Sequence, residues 1–123
     1  MEKTVTVSEN INNIPIVVDL TDRCGNTSHS EDSFSIDTTK PSIEITWDNT
    51  QPDSDNKDFY NKNRTATITV TDRNFSGSDL VLNISNTDYS VPSAGSSTSS
   101  GEGDSMKHTT TVTFSADGDY KFS

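Results

Sequence analysis

The chain has one cysteine, Cys24, which excludes an intrachain disulfide. It has no apolar run near the ~20 residues that cross a bilayer as a helix. The opening MEKTVTVSEN lacks the central apolar segment of a signal peptide, so Met1 reads as the start of an excised piece. Hydrophobic residues make up only 28% of the chain, enough for a thin two-layer core and not a large one. Cations are scarce: nine Lys and Arg stand against 19 Asp and Glu, a net charge of −10. A polyanion repels phosphate backbones and anionic lipid, which disfavours nucleic-acid binding and electrostatic membrane docking. Acidity suits solubility and cation binding.

What is present favours β-structure. Leu and Ala are few, Val, Ile and Thr plentiful, and Ser and Thr supply about three residues in ten. Alternation of polar and apolar residues, the mark of a half-buried strand, recurs along the chain. It occurs at Thr4–Ser8, at Ser33–Asp37 and at Ser42–Trp47, where Ile43, Ile45 and Trp47 share a face. It occurs again at Thr65–Thr71, with Ala66, Ile68 and Val70 inward, at Asp79–Ser85, with Leu80, Leu82 and Ile84 inward, and at Thr109–Ser115. Ile14–Leu20 is an apolar run with Pro15 near its start, and Asp119–Ser123 opens a last strand. Cys24-Gly25-Asn26 reads as a turn. No window carries a sustained helical stripe. The expectation is an all-β antiparallel sandwich. Its core set is Ile43, Ile45, Trp47, Ile68, Val70, Leu82, Ile84, Val112 and Phe114. Two long loops interrupt it: the acidic Asp48–Lys62, and a Ser/Gly-rich stretch over 90–106 expected to be flexible.

The sequence also repeats itself. Thr4-Val5-Thr6-Val7-Ser8 matches Thr111-Val112-Thr113-Phe114-Ser115, about 107 residues later, and each is followed by a polar turn and a strand. That spacing suits one sandwich module in an array. Residues 1–37 then read as the C-terminal strands of a preceding repeat, able to complete the following sandwich. Residues 38–123 read as a repeat lacking its last strand. A strand left without its in-sequence partner invites swapping between chains.

Three stretches carry a family resemblance. Thr21-Asp22-Arg23-Cys24-Gly25-Asn26 matches T-D-x-A-G-N except at Cys24, where a small apolar residue is usual. Phe34-Ser35-Ile36-Asp37-Thr38-Thr39-Lys40-Pro41 matches F-x-x-D-T-T-x-P. Tyr60 to Phe75, YNKNRTATITVTDRNF, matches the opening of a following repeat. In these the chain resembles the bacterial immunoglobulin-like tandem repeats of large cell-surface and adhesion proteins. The resemblance implies an immunoglobulin-like β-sandwich, an extracellular location at the bacterial surface or in secreted form, and neighbouring repeats as partners. It implies a structural stalk or spacer role without enzymatic activity. The alternatives are a module that binds glycan or a host surface protein, and an accessory domain of a surface hydrolase.

Candidate sites are few. Cys24 with His29 lacks the third orienting group and oxyanion site that a nucleophile pair needs, and one Cys with two His falls short of a zinc set. Calcium takes six to eight oxygens. Asp22, Asn26 and Asp37 could supply some, as joint aspartates do in adhesin repeats of the kind this chain resembles. Asp53, Asp55 and Asp58 resemble an EF-hand start without its later Gly and Glu; solvated loop acids are the plainer reading of either group. Trp47 and Tyr60 flank the acidic loop and are the candidate ligand-binding rings, with core plugging the plainer reading. The Asn-x-Ser/Thr sequons at Asn26, Asn63, Asn74 and Asn83 are chance products of Ser/Thr richness.

Overall fold

The computed structural model describes residues 2–52, 59–86 and 89–123. Strands β1 to β8 are joined only by antiparallel pairings, and no α-helix occurs among the described residues. The chain divides into two compact units, Met1–Thr39 and Lys40–Ser123.

The first unit is a hairpin of β1 (Ile11–Thr21) and β2 (Thr27–Ile36). Its register runs from Thr21 opposite Thr27 to Ile14 opposite Phe34, then slips before Ile11 meets Ile36. Asn13 sits at the slip with φ of 55°, a left-handed conformation that Asn tolerates better than most residues. Direct pairing puts partners on one face. Ile14, Ile16, Val18 and Leu20 therefore share a face with Phe34, while Val17, Asp19 and Thr21 share the other with Glu31, His29 and Thr27. The apolar face is open: Val18 is 55% exposed and Leu20 64%. Thr4–Ser8, expected as a strand, forms none. Alternation makes a strand only where a neighbour takes its hydrogen bonds.

The second unit has a four-stranded sheet in the order β3 (Ser42–Trp47), β4 (Arg64–Thr71), β7 (Lys107–Phe114), β6 (Thr98–Ser100). A two-stranded ladder of β5 (Ile84–Asn86) and β8 (Tyr120–Phe122) is extended by paired backbone bonds between Asn83 and Ser123. Its side chains pack against the four-stranded sheet. Ala66, Ile68, Val112 and Phe114 form the buried core, with Trp47, Leu80, Leu82, Ile84, Tyr120 and Phe122 against it. The opposite face of β4 and β7 is a threonine ladder, pairing Thr65 with Thr113, Thr67 with Thr111 and Thr69 with Thr109. β-Branched side chains suit the pleat, and cross-strand Thr pairs support it.

Three expectations need correction here. Ile43 and Ile45 stand on the core face, opposite Val70 and Ile68, yet are 64% and 45% exposed. The short β5–β8 ladder covers the Trp47 end of β3, and these two side chains stay outside the core. Asp79–Ser85 yields ladder structure only from Ile84; Gly77–Asp79 is a 3-10 turn, and Leu80 and Leu82 pack without ladder partners. The Ser/Gly-rich stretch over 90–106 supplies β6, which pairs with β7, and a 3-10 turn at Gly103–Ser105. β7 offers an unpaired edge there, and small side chains lie against it without a packing cost. The Gly95 amide donates to Thr111 O at 2.8 Å, and the Thr110 hydroxyl donates to Gly95 O at 3.1 Å.

Candidate functional site

The sequence singled out the segment from Thr21 to Pro41, and its turn is held by one carboxylate. Asp22 Oδ1 accepts from the amides of Cys24 at 2.8 Å and Asn26 at 2.9 Å, and Oδ2 accepts from Asn26 Nδ2 at 2.8 Å. The Asp22 and Asn26 backbones bond as well, and Gly25 takes φ of 88°, where a Cβ would be strained. These N–H donors favour the ionised carboxyl: the Asn26 side chain first, then the Asn26 backbone, hold Asp22 below the usual carboxylate range. Asp22 and Asn26 thus come together to close a hairpin.

Asp37 does not join them. It follows β2 at the far end of the hairpin, ten strand residues from the turn, or about 30 Å at ~3.3 Å per residue. There Asp37 Oδ1 accepts from the Thr39 amide at 3.1 Å. Asn10 completes that corner: its Oδ1 accepts from the Thr38 amide and hydroxyl, and its Nδ2 donates to the Thr39 hydroxyl. The calcium trio expected of Asp22, Asn26 and Asp37 therefore does not converge on one ion, because the strand between its members is extended. Asp53, Asp55 and Asp58 lie outside the described residues. Among the described residues, no group of three or more His, Cys, Asp or Glu is placed to hold a metal ion.

Cys24 is exposed in the turn. His29 is turned to carboxylates instead: Nδ1 lies 2.6 Å from Asp19 Oδ1, and Nε2 lies 3.7 Å from Glu31 Oε2. Cross-strand pairing of Asp19 with His29 makes this contact. Neither Asp19 nor Glu31 was legible as its partner without the register.

The aromatic pair is brought together by a residue that sequence reasoning passed over. The Arg64 guanidinium carbon lies 4.1 Å from the centre of the Trp47 ring and 3.9 Å from that of Tyr60. Arg64 Nε also donates to Asn49 O at 2.9 Å. Trp47 packs further against Phe114 and Phe122, with ring centres 5.8 and 6.1 Å away. Beside them, Asp48 Oδ1 accepts from the Thr65 amide at 2.7 Å, and that donor above all holds Asp48 below the usual carboxylate range. Arg64 occupies one face of each ring, and core rings pack against Trp47. The signal in the sequence was the spacing of Trp47, Tyr60 and Arg64 around one strand connection.

Comparison with protein-family models, with curated proteins and with solved structures gives no match. The fold stands on its own geometry, an all-β chain of antiparallel sheets consistent with a β-sandwich.

Proposed function

We propose that the chain is a structural module: an immunoglobulin-like spacer repeat in the stalk of a bacterial cell-surface or secreted adhesin-like protein. Neighbouring repeats are its partners in this reading, and the location is extracellular. One observation carries it. The described side chains that the sequence offered as calcium or ligand sites are engaged within the fold: Asp22 with the Asn26 amide in the turn, Asp37 with the Thr39 amide at the strand end, Trp47 and Tyr60 with the Arg64 guanidinium. Antiparallel ladders such as β4 with β7, paired over eight residues, suit a load-bearing part. The glycan reading is the weaker one, since Arg64 occupies the space between the two rings.

Force spectroscopy tests the spacer role. With the chain held between marker domains, the unit Lys40–Ser123 should give one force peak. That peak should release 84 residues, roughly 290 Å at ~3.5 Å per residue, less the folded end-to-end length. Extension without a peak would remove the mechanical role.

A further inference from the structure

The connection from β7 to β8, residues 115–119, is exposed throughout and holds the one Asp-Gly pair of the sequence, Asp117-Gly118. Gly118 takes φ of 139°, and a Cβ there would overlap the Asn86 side chain. The turn therefore demands glycine at this position. The same Asn86 side chain holds the residue before it: Nδ2 donates to Asp117 O at 3.5 Å. The rest of the connection is tied down by Tyr120, whose hydroxyl donates to Ala116 O at 3.0 Å and whose ring packs on Phe114, centres 4.9 Å apart.

An aspartyl side chain can close on the amide nitrogen of the residue that follows it. A side chain on that residue hinders the approach, and glycine has none. Exposed loop tips are also where covalent change meets least resistance. The turn geometry thus requires, directly after Asp117, the residue that leaves its carboxyl most reactive.

We propose that Asp117 is a site of spontaneous covalent modification, isomerising to a β-aspartyl linkage that loosens the β5–β8 ladder. The Gly118 amide nitrogen attacks Asp117 Cγ of the neutral carboxyl. An N–Cγ bond forms, a Cγ–O bond breaks, and the amide proton leaves with that oxygen as water. Water then opens the cyclic imide. Attack at Cγ restores aspartate. Attack at the α-carbonyl carbon breaks its bond to the Gly118 nitrogen, which takes up a proton, and frees the α-carboxylate. Water is the only co-reactant, and the mass of the product equals that of the starting chain. The main chain now runs through Cγ and is one atom longer. The carbonyl that met Asn86 has become a charged carboxylate. Both changes fall between Phe114 and Tyr120, the two ends of the connection that pack together.

Two other aspartates precede a serine and serve as internal references. Asp104 Oδ1 accepts from Arg73 Nε at 2.8 Å, which favours its ionised, less reactive form. Asp32 precedes Ser33, whose Cβ stands beside the nitrogen that would attack.

The full chain, folded, is held at body temperature in mildly acidic buffer, and peptide mapping by mass spectrometry follows β-aspartate at each position. It should build up several-fold faster at 117 than at 104 or 32, with a transient species lighter by one water. Asp117→Glu, with circular dichroism unchanged, should abolish it, because the six-membered imide closes far more slowly. The isomerised chain, separated by ion exchange, should unfold at lower urea than the fresh chain. Equal rates at 117, 104 and 32 would overturn the proposal. So would β-aspartate at 117 that forms in urea but not in the folded chain, since the turn would then hold the reacting groups apart. An unchanged urea midpoint for the isomerised chain would overturn the loosening of the ladder.

Discussion

The guanidinium of Arg64 is clasped between the rings of Trp47 and Tyr60, at 4.1 and 3.9 Å from their centres. Arg64 opens β4, and Trp47 closes β3 opposite Ala66, so the clasp ties the first residue of one strand to the last of its neighbour. Two cation–π contacts at partly buried rings are worth about 1–2 kcal/mol together. Arg64→Ala should lower the stability of the second unit by about that amount in urea unfolding. Arg64→Lys should recover only part of it, because an ammonium does not stack flat between two rings. An unchanged unfolding midpoint for Arg64→Ala would show that the clasp contributes nothing.

The core is narrow, and its two sides differ sharply. Ile68 is 1% exposed at the centre of β4, and its cross-strand partner Ile45 is 45% exposed. Ile68→Ala should cost about 2–5 kcal/mol through lost burial and a cavity. Ile45→Ala, measured at low protein concentration, should stay within about 1 kcal/mol. Equal losses would mean that the face bearing Ile45 is covered.

The hairpin turn should respond to acid. Asp22 has its folded-state pKa lowered by the Asn26 and Cys24 donors, so the ionised turn is favoured. The contribution is fully present above the ordinary carboxylate pKa of about 3.9, and is lost as pH falls below it through the lowered folded value. The amide shifts of Cys24 and Asn26 should report this in an NMR titration, with an inflection below that of a free aspartate. An inflection at or above the free value would rule out the bonding described. Asp22→Asn should weaken the acid response.

Asp22 and Asp37 should act independently toward calcium. With ten extended residues of β2 between them, no single ion reaches both. In thermal melts with millimolar calcium, any shift lost in Asp22→Asn should remain in Asp37→Asn. Loss of the same shift in both variants would contradict the separation.

Gly101 has φ of 91°, and a Cβ placed there would sit 2.5 Å from Ser105 O. Gly101→Ala should therefore destabilise the second unit by about 1–3 kcal/mol in chemical unfolding. The Arg73 side chain braces the same turn, with Nε donating to Asp104 Oδ1 at 2.8 Å. A neutral result for Gly101→Ala would mean that the turn relaxes at no cost.

Much of the β content was legible because alternation needs no tertiary knowledge. Thr65–Thr71 reads inward at Ala66, Ile68 and Val70, and all three are buried. Gly25 and Asn26 announced a turn through their backbone chemistry, and the turn is there. The candidate sites were less legible. Asp37 reads as a neighbour of Asp22 along the chain, but an extended strand carries it away. Arg64 was given no role by the sequence, and the geometry of Trp47 and Tyr60 gives it a place.

The sequence by itself determined the periodicity: which residues alternate, which side of a strand each takes, and where the backbone turns. Tertiary structure decided which of those sides are covered. Ile43, Ile45 and Ile68 carry the same apolar signal, and only Ile68 is buried, because the β5–β8 ladder ends before it reaches the other two. Likewise the Ser/Gly stretch held no strand signal, and Thr98–Ser100 became one because the edge of β7 stood open beside it. A strand's side-chain directions are local, fixed by a two-residue repeat; burial and hydrogen-bond pairing depend on what another part of the chain brings alongside.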